Sequence, residues 1–96
     1  MIKLDKSDFL LTELGRKLIE CLVKLDGALD NRSKYPSCTT ICESATQKIE
    51  LCMAQWEIYK IAIKQFFGIE YQFTRTEEYF GAVTEDESDW LLKIRR

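Results

Sequence analysis

Three features of this chain have residue types that could carry chemistry: four cysteines, an acidic run at 84–89, and a knot of aromatic and charged residues at 73–81. Cys38 and Cys42 are one helical turn apart and could share a face. A zinc centre needs four ligands around one tetrahedron. Cys52 lies ten residues beyond Cys42, roughly 15 Å along a straight helix, so such a site would not close. Cys21, Cys42 and Cys52 are therefore expected as small core hydrophobes. A reactive thiolate at Cys38 would need a base beside it, and the chain contains no histidine.

The run Thr84-Glu85-Asp86-Glu87-Ser88-Asp89 suggests calcium, but the spacing fails. An EF-hand loop needs Gly at its sixth position and Glu at its twelfth. Counted from Glu85, those positions hold Trp90 and Arg96. Glu77 and Glu78 are a carboxylate pair, but neighbours in a strand point to opposite faces and cannot flank one glycosidic bond. Phosphate-cradling glycine loops, a serine nucleophile elbow and zincin spacing are all missing. No enzyme activity, metal or cofactor is expected.

These residues must be positioned by the elements around them. Leu11, Leu14, Leu18, Cys21, Leu22, Leu25, Ala28 and Leu29 recur at steps of three and four, which predicts a helix over about 7–29 with Ser7 as its cap. Asp30 to Ser37 is rich in turn formers and contains Pro36, so 30–37 reads as a linker. A second stripe, Cys42, Ala45, Ile49, Cys52, Trp56, Tyr59, Ile63 and Phe66, predicts a long helix over about 38–67 that stops at Gly68. The period then changes to two. Ile69, Tyr71 and Phe73 alternate with polar residues, and Tyr79–Thr84 and Trp90–Ile94 complete a three-stranded meander over about 69–95. Ile2 and Leu4 could add an edge strand.

The expected fold is one α+β domain spanning 1–96. It consists of a two-helix antiparallel hairpin with a long second helix, then a small three-stranded antiparallel β-meander. A 30–37 linker makes residues face each other when their numbers sum to about 67. That places Cys21 near Cys42 and leaves 60–67 overhanging the first helix, with the sheet docked on the overhang. The wide apolar arc there also raises a homodimer through Leu51, Met53, Ile58, Ile61 and Phe67.

The charge pattern narrows the function. The net charge is −2, which argues against whole-domain nucleic-acid binding. Residues 76–92 contain six acids and no base. A non-enzymatic protein-binding module is expected, with Arg75, Glu77, Glu78, Tyr79, Glu85, Asp86, Glu87, Asp89 and Trp90 as contact residues. In size and charge the chain is similar to phage and mobile-element inhibitors of host machinery. Among these are anti-CRISPR proteins that present carboxylates in place of DNA phosphates. The alternative is a nucleic-acid-binding regulator using the tail Lys93, Arg95 and Arg96 with Arg16, Lys17 and Lys24. The N-terminal residues MIKLDKSD carry charges where a secretory signal would be apolar, and no stretch is long enough for a membrane span. A cytoplasmic location with reduced cysteines is therefore expected.

Overall fold

The computed structural model describes residues 5–96. The element order is α1 (Lys6–Leu11), α2 (Glu13–Lys34), α3 (Thr39–Phe67), β1 (Tyr71–Arg75), β2 (Tyr79–Thr84) and β3 (Trp90–Arg95). This is the α+β hairpin-plus-meander arrangement. The suggested edge strand at Ile2 and Leu4 lies outside the described residues.

The first helix is not continuous. Asp5, not Ser7, caps α1, its carboxylate accepting from the Ser7 amide. Thr12 then leaves helical geometry at φ −74°, ψ 164° and caps α2 by accepting from the Gly15 amide at 3.2 Å. Its hydroxyl also donates to the Phe9 carbonyl at 2.6 Å. The corner folds α1 tightly onto α2. A Cβ at Gly15 would sit 2.2 Å from the Phe9 carbonyl oxygen and 2.7 Å from Leu10 Cα. Gly15 therefore makes the corner possible.

The second helix-one boundary also moves. α2 continues to Lys34, five residues beyond the expected end. Arg32 and Lys34 sit in its last turn, where cations favour the negative end of the helix dipole. Pro36 then stops it. The real connection is 35–38, so facing residues sum to about 73 instead of 67. Cys21 consequently lies against Cys52, its thiol donating to the Cys52 carbonyl at 3.4 Å, and not near Cys42. The buried pair Ala28 and Ala45 obeys the same sum. α3 begins after Cys38 with no side-chain cap, and Gly68, at φ 69°, closes it with its amide on the Lys64 carbonyl.

The sheet order is β1-β2-β3, antiparallel throughout. Ala82 pairs with Leu92 and Val83 with Trp90, so Leu91 is the extra residue of a β-bulge. Tyr71, Phe80, Ala82 and Leu91 enter one core with Phe9, Leu18, Leu22, Leu25, Trp56 and Ile63. The α3 overhang is covered by α1 as well as by the sheet: Phe9 stacks edge-on to Phe67 with ring centroids 5.4 Å apart and lies 6.1 Å from Phe66.

Gly15→Ala should lower stability by more than about 1 kcal/mol, because the added methyl meets backbone that cannot yield. Gly27→Ala should raise stability by about 0.5–1 kcal/mol, since a Cβ there meets nothing within 4 Å and helix propensity improves. Urea unfolding of the two variants reads both effects; destabilisation of equal size in both would show that the α1–α2 corner does not require glycine.

Candidate functional site

The expected contact residues do not gather on one surface. A meander places successive turns at opposite ends of its strands. Glu77 and Glu78 lie at the β1–β2 turn, and Glu85, Asp86 and Glu87 lie at the β2–β3 turn, all exposed. The six residues of β2 separate the two groups by roughly 17–20 Å.

Several expected contact residues are engaged inside the molecule. Arg75 projects from β1 onto α2, with its Nε donating to Asp26 Oδ1 at 2.8 Å and its Nη2 to Asp30 Oδ1 at 3.1 Å. Arg96 joins the same carboxylates: its Nη2 donates to Asp26 Oδ1 at 2.7 Å, and its Nη1 lies 3.6 Å from Asp30 Oδ2. Arg96 Nε also donates to the Thr76 carbonyl, and its guanidinium stands 5.7 Å from the Phe80 ring centroid. Asp26 is the one buried charged residue among those described, with 7% exposure. Asp26 and Asp30 are one helical turn apart, so both face the sheet. Sequence reasoning missed both. Helical periodicity did not single out Asp26, and composition placed Asp30 in the linker.

Asp89 is engaged at the other end of the sheet. It pairs with Lys6 of α1 and accepts from the Tyr71 hydroxyl at 3.1 Å. The Lys6 hydrogen bond holds the Asp89 carboxyl below the usual carboxylate range. Burial, followed by the bond to Asp89, pushes the Tyr71 phenol up. Asp86 organises its own turn. Its Oδ1 accepts from the Thr84 hydroxyl at 2.6 Å, the Ser88 hydroxyl at 2.7 Å and the Ser88 amide at 3.1 Å. These bonds, the Thr84 one first, lower its carboxyl to about 2. Glu87 adopts φ 60° to complete the turn. Of the acidic run, Glu85 and Glu87 alone show no ion pair or side-chain hydrogen bond among the described residues.

Tyr79 and Trp90 are brought together on the outer face of the sheet, where Lys93 Nζ sits 4.2 Å from the Tyr79 ring centroid and 5.1 Å from that of Trp90. Phe80, beside Tyr79, takes the core face. The basic tail is divided accordingly: Lys93 lies over two rings, Arg95 is exposed, and Arg96 is held by Asp26. On α2, Lys17 lies 3.6 Å from Glu13.

Cys21 and Cys52 are buried, and burial followed by the Cys52 neighbour pushes the Cys21 thiol up to about 11. Cys42 is only half-buried, contrary to its expected core position, and its thiol donates to the Tyr35 carbonyl at 3.1 Å. Among the described residues, no group of three or more cysteine, aspartate or glutamate side chains is placed to hold a metal ion. No helix among them is long and apolar enough to cross a membrane.

An exposed apolar stripe runs along α3. Leu51, Ile58 and Ile61 are 63%, 67% and 61% exposed. At 100° per residue they lie almost opposite Ala45, Cys52, Trp56 and Ile63, which face the core. α3 is therefore apolar on two opposed sides. Met53 lies outside this stripe, and Phe67 is packed against Phe9. A groove of about 440 Å³ between α2 and α3 runs beside Leu51, with Lys24 and Lys48 among its lining residues. Comparison with protein-family models, with curated proteins and with solved structures finds no match in any of the three.

Two predictions follow from the polar contacts. Asp26→Ala should cost about 2–4 kcal/mol, because two guanidiniums lose a partly buried partner; guanidinium-chloride unfolding measures it, and a loss below about 0.5 kcal/mol would show the cluster to be ornamental. For acid stability, both Asp86 and Asp89 have folded values below the ordinary value of 3.8. Each contribution is present above that value and is lost as pH falls below about 4 through the folded value, which for Asp86 is about 2. Unfolding curves across this range should show a shallower acid-side loss for Asp86→Asn and Asp89→Asn than for the parent chain.

Proposed function

We propose that this protein is a non-enzymatic protein-binding module whose contact face is the outer side of α3. One observation carries the reading: three large aliphatic side chains, Leu51, Ile58 and Ile61, stand more than 60% exposed along one line of a helix whose other side is the core. Water-exposed apolar stripes of this kind mark macromolecular contact surfaces. A helix gains nothing in its own fold by carrying such residues outward. The core is complete without them.

The separated acidic turns support less. A surface that imitates a run of phosphates needs its carboxylates in one array. Here Asp86 and Asp89 are bonded internally, and Glu77 and Glu78 lie a strand's length from Glu85 and Glu87. Inhibition of a nucleic-acid-binding partner by charge mimicry is therefore the weaker form of the same protein-binding reading.

The two surfaces can be compared by placing a photo-crosslinking amino acid at Ile58 in one variant and at Glu87 in another. Irradiation in cells should give a discrete adduct from position 58 and none from position 87. Discrete adducts from position 87 alone would transfer the function to the acidic turn and end the α3 reading.

A further inference from the structure

We propose that the occupant of the α3 face is a second copy of this chain, packed antiparallel across a two-fold axis. The inference rests on the contact-face reading above and goes further by naming the partner.

The seam is Gln47, Leu51, Ala54, Ile58, Ile61 and Gln65. All six are exposed, and their spacings alternate four, three, four, three and four. That averages close to the 3.5 residues at which a helix keeps one seam against a partner helix. A polar residue closes each end, so the apolar stretch is finite.

The seam also matches itself when reversed. In an antiparallel pair centred on position 56, residues meet when their numbers sum to 112. Gln47 then meets the partner subunit's Gln65, and Leu51 meets the partner subunit's Ile61. Ala54 meets the partner subunit's Ile58, so the small residue receives the large one. Every seam position finds a partner of fitting type. This is the condition that an isologous interface imposes, since the same patch must serve both subunits. A foreign partner imposes no such internal palindrome.

Charge at the flank fits the same operator. Glu50 and Lys64 both lie along one edge of the seam, and the antiparallel arrangement sets Glu50 beside the partner subunit's Lys64, twice per dimer. Within its own chain Lys64 reaches Glu70 at 2.9 Å and is 58% exposed, so it is free to exchange partners. Glu57, on the same edge, falls beside the axis and meets its own copy. That is the one unfavourable contact in the arrangement, and it makes a specific prediction of its own.

Sedimentation velocity of the full chain, from low to high micromolar concentration, should show a monomer–dimer equilibrium. Ile58→Arg should abolish the dimer and leave the circular dichroism spectrum unchanged, because Ile58 contributes nothing to the core. Glu57→Gln should tighten the dimer several-fold. Lys64→Glu should weaken it, and Glu50→Lys combined with Lys64→Glu should restore it. A chain that is monomeric at every concentration, while position 58 still crosslinks to a different protein, overturns the self-pairing and leaves the contact-face reading standing. A monomer without any adduct at position 58 overturns both. A dimer indifferent to Ile58→Arg, or a double charge swap that fails to restore association, also overturns the proposal.

Discussion

Asp26 is a carboxylate taken largely out of water, and much of the arrangement follows from the need to compensate it. An unpaired charge at that depth would cost more than a small domain can tolerate. Two guanidiniums meet on it, one from the end of β1 and one from the residue after β3. Because both outer strands of the sheet reach the same atom, the sheet cannot slide or rotate on α2. Asp30 takes the second nitrogen of each arginine, which fixes their planes as well as their positions. At the opposite end, Lys6, Asp89 and Tyr71 fasten α1 to the β2–β3 turn. The sheet is thus bonded to the helical layer at both ends, with the apolar core between.

The local elements were legible because they rest on periodicity. Seven steps of three and four announced α3, and the change to period two announced β1. Gly68 marked the helix end correctly because a left-handed residue was needed there. What failed to show was longer in range. Asp30 to Ser33 looked like linker by composition, yet helical geometry there gives Asp30 its place beside Asp26, and tertiary pairing overrides weak propensity. That error moved the hairpin register by six. Thr12 and Gly15 fall inside the apolar stripe that predicts one continuous helix over 7–29. Only contact with the backbone of Phe9 and Leu10 shows that they form a corner.

The candidate site was legible in a different proportion. Tyr79 and Trp90 do lie together, but through Lys93 on the outer sheet face. Arg75 has the residue type of an interface anchor and serves an intramolecular one, because the carboxylates that claim it are 49 and 45 positions away in sequence. No local pattern encodes that pairing. Glu77 and Glu78 stand close in sequence to the acidic run at 84–89, whereas a meander sends alternate turns to opposite ends and so parts them from it. The exposed side of α3 was partly visible: Leu51, Ile58 and Ile61 were singled out, and only Met53 and Phe67 proved to belong elsewhere.

The ionic fastenings also bear on how the chain reaches this state. The helical hairpin closes through a connection of four residues, and each strand pairs with its immediate successor, so most of the structure forms between sequence neighbours. Such topologies fold fast. The Lys6–Asp89 and Arg96–Asp26 contacts span 83 and 70 residues and can be made only when helices and sheet are already assembled. Contacts made after the barrier act on the unfolding rate and leave the folding rate unchanged. In this protein, then, local pattern governs the speed of assembly, and the two distant ion clusters govern how long the assembled state lasts.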